Sequence, residues 1–207
     1  MDEVEHRDGI AKRSDVAVLY CDPKGIYPTL VEHWWDEKRD ARTYNLTLPI
    51  VAHPPCGPWS KFRHMYKGAE HDLAPAAIKQ VRLYGGVLEH PAQSKLWQHL
   101  DLPLPGQFPD TYGGITVSVD QLHWGHVAHK RTWIYAVGCD EERLYLPYPP
   151  FPNRKPTHDL MGGRGRNAQV QRGARLEASK ELRRRTPVAF AEWLLELAAT
   201  AGKVRAA

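Results

Sequence analysis

At 207 residues, the chain is long enough to bury a core without disulfides or metal staples and short enough to be one domain. Its 42% hydrophobic and 25% charged residues exclude a disordered chain, and no apolar run approaches the ~18 residues that cross a bilayer. A net charge of +4 favours an anionic partner, and the polar start MDEVEHRDGIAKRSD fits neither a secretory signal nor an anchor, so no membrane partner and a cytoplasmic location are expected.

The elements follow in chain order. VAVLYC at 16–21 is a short apolar run closed by Asp22-Pro23, which predicts a buried strand. The stretch TLVEHWWDEKRDARTY at 29–44 has mixed helical character. Pro49 to His53 predicts a second strand, stopped by Pro54-Pro55. APAAIKQVRLY at 74–84 spaces its apolar residues as a helix does, and Gly85-Gly86 ends it. Val87 to Glu89, Ile115 to Val119 and Thr132 to Val137 read as three more strands, the last ending at Gly138. PVAFAEWLLELAA at 187–199 predicts an amphipathic helix with Thr186 as its cap and Pro187 in first position. Strands alternating with helices predict an α/β sheet in a single domain spanning 1–207. Residues 139–185 lack periodicity and are rich in Pro, Gly and Arg, which predicts an extended loop or very small subdomain.

That region carries the charge. From Arg154 to Arg185 there are ten basic residues, Arg164 and Arg166 among them, against three acids. Such a segment suits contact with phosphates, or a solvated face. The three cysteines, Cys21, Cys56 and Cys139, are widely spaced and include no CxxC pair, so neither a disulfide framework nor a thiolate zinc site is expected.

Three motifs carry chemistry. In His53-Pro54-Pro55-Cys56-Gly57-Pro58-Trp59-Ser60, a cysteine follows a strand and two stiffening prolines. Open α/β sheets place ligands at such strand ends, so Cys56 is a candidate nucleophile rather than an inert core thiol. In Val87-Leu88-Glu89-His90-Pro91, a strand delivers a carboxyl group to its end, fit to hold a proton or to serve the following helix. In His129-Lys130-Arg131-Thr132-Trp133, an arginine stands at a strand mouth, where it can orient a base or form a surface ion pair.

Together and in this order, these motifs resemble the DNA cytosine C5-methyltransferase family. Pro54, Pro55, Cys56, Trp59 and Ser60 fall in register with its Pro-Pro-Cys motif, with Gly57 where Gln is usual. Glu89-His90-Pro91 is similar to its Glu-Asn-Val or Glu-Asn-Pro motif, and His129-x-Arg131-x-Trp133 to its Gln-x-Arg-x-Arg motif. Thr186-Pro187 and the helix after them resemble its closing motif. The likeness covers about residues 16–138 and 185–200. It implies a reduced Rossmann-like methyltransferase sheet with helices on both faces. It also implies Cys56 as nucleophile at C6 of a flipped-out cytosine, Glu89 acting at N3, and Arg131 holding the base. DNA would be the partner, with Pro55, Ser60, His90, His129, Arg164 and Arg166 on the substrate side. S-adenosylmethionine would be the cofactor, held by Tyr20, Asp22, Gly25 and either Asp36 or Glu37.

The family's glycine-rich motif is met here only by Tyr20 and Gly25, and no room exists between Tyr44 and Pro54 for its next strand and helix. The resemblance therefore leaves open a minimal methyltransferase of the bacteriophage type, the same site with other pyrimidine chemistry, or a relative that only binds nucleic acid. A metal enzyme is the rival class, since His53, Cys56, His64, His71, His90, His123, His126 and His129 offer many ligands.

Overall fold

Alternation decides the architecture. Along Val16-Ala17-Val18-Leu19, odd and even residues join two different apolar clusters, so the strand is buried on both faces. The computed structural model describes residues 11–60, 63–145, 147–160 and 176–204. Its main sheet has strands β1 (Arg13–Leu19), β2 (Val31–Trp35), β3 (Ile50–Ala52), β4 (Gly86–Pro91), β5 (Gly114–Asp120) and β6 (Arg131–Val137), in the order β2-β1-β3-β4-β6-β5. β1 to β4 pair in parallel, and β6 runs antiparallel to both β4 and β5. Short helices α1 (Tyr27–Leu30), α3 (Lys95–His99), α4 (Glu141–Tyr145) and α5 (Lys180–Arg184) accompany two long ones, α2 (Leu73–Tyr84) and α6 (Val188–Val204).

The long helices cover opposite faces. Phe190, Ala191, Leu194, Leu195 and Ala198 of α6 pack on Val16, Val18, Val51, Val87 and Ile134. Ala74, Ala77, Ile78 and Val81 of α2 pack on Leu19, Ile50, Leu88 and Tyr135, joined by Leu96 and Trp97 of α3. Both expected helices are present, and α6 starts one residue later than anticipated, with the Pro187 carbonyl accepting from Ala191 N. The mixed α/β sheet with helices on both faces is thus as the sequence predicts.

The stretch 29–44 is a correction. Val31–Trp35 is a strand, preceded by one turn of helix and followed by turns. Val31 and Trp35 are buried and the strand pairs with β1, so ladder bonds and aromatic packing outweigh the helical composition of Asp36-Glu37-Lys38-Arg39. Within 139–185, the described residues form α4, α5 and a two-stranded parallel ladder, β7 (His158–Asp159) with β8 (Leu176–Glu177). Arg164 and Arg166 lie outside the described residues. No helix among the described residues is long and apolar enough to cross a membrane.

Candidate functional site

The chain leaves β1 toward β2 on one side and later returns to β3 on the other. A crevice forms at the carboxyl ends of strands where the order reverses in this way, here between β1 and β3. His53 continues the pairing across that point, its N–H donating to the Leu19 carbonyl at 3.0 Å. Pro54 and Pro55 then lead to Cys56, which opens a 3-10 turn over Gly57–Trp59. The turn closes with Trp59 N–H donating to the Cys56 carbonyl at 3.1 Å, and Ser60 Oγ–H donates to the Gly57 carbonyl. Gly57 stands where the family has Gln, and a Cβ there would come within 2.3 Å of the Tyr66 ring, which would have to move.

Of the three cysteines, only Cys56 is exposed. Neighbouring atoms nevertheless crowd its sulfur, so burial pushes the thiol pKa up. The Glu89 charge adds to this, and Lys130 and Arg184 oppose it.

Glu89 stands on β4, and alternation directs it to the α6 side with Val87. Both of its oxygens are held. His53 Nδ1 meets Oε2 at 3.1 Å, and Gln121 Nε2 donates to Oε1 at 2.9 Å and to Thr132 Oγ1 at 2.9 Å. His53 and Glu89 side chains are each only 12% exposed, so solvent screens the pair weakly. The His53 ring lies 4.7 Å from the Tyr27 ring, centre to centre. His53 Nε2, Tyr27 Oη and Gln121 Oε1 are buried without a protein partner. Burial alone would raise the Glu89 pKa, but the His53 bond and the charges of Lys130, His53 and His90 hold it down to about 2.

The sign of this shift makes a prediction. A carboxyl depressed on folding stabilises the fold fully above its ordinary pKa, and that stabilisation is lost as pH falls toward the folded value. Between about pH 4.5 and pH 2 the native protein is expected to lose stability more steeply than Glu89→Gln, measured by urea unfolding at each pH. Parallel curves would refute the paired carboxylate.

The other expected residues divide. His90 points to the opposite face beside Trp97, and burial pushes its pKa down to about 4 against the attraction of Glu89 and the Pro55 carbonyl. Arg131 is exposed at the start of β6, on the face of Trp133 and Tyr135, whereas Thr132 shares the Glu89 face. No hydrogen bond or ion pair joins Arg131 to Glu89 or Cys56 among the described residues, so the expected triad is not assembled as such. Its neighbour Lys130 is the cation felt by both groups. His129 Nδ1 pairs instead with Asp120 Oδ2 at 2.7 Å. Gln121 lies in none of the sequence motifs, whereas Lys130 and His53 lie within two of them without a role that the motif assigns. A polar residue at the last position of a strand leading into Pro-Pro-Cys was the available clue to His53.

The residues expected to hold S-adenosylmethionine have partners within the protein. Lys24 N–H donates to Asp22 Oδ1 at 2.9 Å and Gly25 N–H to the Asp22 carbonyl at 2.9 Å. A turn that cradles a cofactor presents such amides outward, and here they are satisfied internally. Tyr20, with φ of 60°, ties its hydroxyl to Gln80, and Asp36 Oδ1 accepts from Arg39 N–H at 3.0 Å. As folded, the Lys24 and Gly25 amides, the Tyr20 hydroxyl and one Asp36 oxygen are already bonded within the protein.

Among the described residues, no group of three or more His, Cys, Asp or Glu converges so as to hold a metal ion. The regularly spaced histidines separate, His126 Nε2 binding the Leu182 carbonyl at 3.0 Å while His129 binds Asp120. Compared with protein-family models and with curated proteins, the chain matches none.

Proposed function

We propose that the protein modifies a pyrimidine base by covalent activation of the cytosine C5-methyltransferase type, with nucleic acid as the expected source of the base. The observation that supports this most is the juxtaposition at the β1/β3 crevice. A free, exposed cysteine stands close enough to Glu89 to feel its charge, and both oxygens of that carboxylate are fixed, by His53 and Gln121.

The chemistry follows from that pairing. Cys56 loses its proton to water, and its sulfur bonds to C6 of the ring. The C5–C6 electron pair shifts into the ring as N3 takes a proton from the Glu89–His53 pair. The resulting enamine accepts a proton at C5 from solvent, and reversal restores the base and the thiol. Glu89 has a second role, because its charge raises the Cys56 pKa. A ring nitrogen sharing a proton with Glu89 offsets that charge, so base binding and thiolate formation favour each other. Lys130 and Arg184 supply the cationic surroundings that the family likeness assigns to Arg131.

The addition step requires no cofactor, so it can be tested alone. Deoxycytidine or a short cytosine-containing oligonucleotide, incubated with the protein in deuterated water, is expected to exchange its C5 hydrogen, read by mass spectrometry. Exchange is expected to weaken by about 10²-fold in His53→Gln, the usual scale for a lost proton-transfer partner. Absence of exchange in the native protein with both substrates would refute the proposal.

A further inference from the structure

Two recesses flank α3 on the side of the sheet away from α6. The larger, about 520 Å³, is lined by Trp59, Arg63, His71, Lys95 and His99, with Pro58 and Gln98 completing its wall. No aspartate or glutamate lines it. Glu70, next to His71 in the chain, keeps its charge and accepts from the Tyr66 hydroxyl. Arg63 and Lys95 form no ion pair with any described residue, so two permanent cations and two imidazoles line one concavity that no carboxylate lines. The smaller recess, about 470 Å³, shares Lys95 and Gln98 but adds Asp101, Leu102, Leu104 and Trp133, which leaves it mixed in character. Only the larger one is built for an anion.

Its wall is continuous with the candidate site. Pro58 and Trp59 belong to the same 3-10 turn that Cys56 opens. Trp59 is 9% exposed, its indole N–H is buried without a partner, and its ring lies 4.9 Å from the His99 ring. Ser94 caps α3 through Leu96 N–H at 3.2 Å and reaches the Trp59 carbonyl at 3.5 Å, so helix and turn are fixed together. A group held between Arg63 and Lys95 is therefore held at a set distance from Cys56. Its volume is in the range of small-ligand sites, enough for a phosphate and the sugar attached to it.

We propose that this recess binds a phosphate group of the nucleotide whose base meets Cys56. This rests on the pyrimidine reading above. Arg63 offers the planar fork that suits phosphate oxygens, and Lys95 a mobile point charge. The phosphate can come from a free 5′-nucleotide or from the backbone of a strand, and the two sources separate experimentally.

The test is equilibrium binding to Cys56→Ala protein, which removes covalent capture. The probes are deoxycytidine, deoxycytidine 5′-monophosphate and a single-stranded cytosine-containing oligonucleotide. Arg63→Gln combined with Lys95→Gln is expected to weaken phosphate-bearing probes at least about tenfold while leaving deoxycytidine unchanged, the scale of a lost charged hydrogen bond. Lys79→Gln, an equal change per site on the exposed face of α2, is expected to leave all three unchanged. A fall with the monophosphate identifies the nucleotide's own phosphate, and a fall with the oligonucleotide alone identifies the backbone. Unchanged binding of both phosphate probes, or an equal fall in Lys79→Gln, overturns the proposal. Phosphate-dependent binding in a protein that shows no C5 exchange would support the recess and sink the cytosine chemistry, so the two failures are distinct.

Discussion

Cys56→Ala is expected to abolish C5-hydrogen exchange, by at least about 10³-fold, as removal of a covalent nucleophile does in other enzymes. Cys56 packs into neither apolar cluster, so its truncation opens no cavity in the core and is expected to leave the melting temperature close to that of the native protein. Loss of exchange with an unchanged melting temperature therefore assigns the sulfur a chemical role. Cys56→Ser is expected to be nearly as inactive, because a serine hydroxyl ionises far less readily than a thiol. The measurement also separates two classes of protein. A module that merely binds nucleic acid predicts full retention of its binding and of any cellular effect in Cys56→Ala. Exchange that survives the substitution removes Cys56 as the nucleophile.

Gly86→Ala is expected to cost the most stability of any glycine-to-alanine change among the described residues. Gly86 begins β4 with φ of +107°, a conformation that side chains rarely adopt. A Cβ there would lie 2.0 Å from the Ile50 carbonyl oxygen and 2.7 Å from its nitrogen, and both are backbone atoms of β3 that cannot swing aside. Backbone strain and the parting of β3 from β4 add, and about 4 kcal/mol or more is expected, against a total of about 5–15 kcal/mol for a domain. Gly106→Ala is the control. It has φ of +85° but nothing within 4 Å of the added carbon, so it isolates the backbone term at about 1–2 kcal/mol. Thermal or urea unfolding of both variants checks the difference, and equal losses would show that β3 and β4 are not packed as described.

The sheet was legible where burial is two-sided. Runs such as Val16-Ala17-Val18-Leu19 and Ile50-Val51-Ala52 have no other use in a chain of this size, and the strands and both long helices lie close to their expected places. Val31–Trp35 was not legible, because an edge strand with charged neighbours looks like an amphipathic helix until its partner β1 is known. The site divides for a similar reason. Cys56 could be found because it follows a strand and two prolines, and Glu89 because it belongs to a short apolar strand, which runs on past it to Pro91 instead of ending there. Arg131 could be placed at a strand mouth, but not on a face, because one residue of register decides which side of the sheet a side chain serves. Gln121 lies 32 positions from Glu89 along the chain, and only the pairing of β5 with β6 and of β6 with β4 brings them together.

The place of α6 in the core has a consequence for how the molecule assembles. Val16, Val18 and Val51 belong to strands made early in synthesis, yet the residues that cover them, Phe190, Ala191 and Leu194, are made after every strand of the main sheet. Until α6 emerges, one whole face of the parallel strands is apolar and open to water. Contacts so distant in sequence are slow to form, because the intervening loop must close before they contribute. The nascent chain therefore carries an adhesive surface until α6 is made, and α6 acts as the latch that closes it.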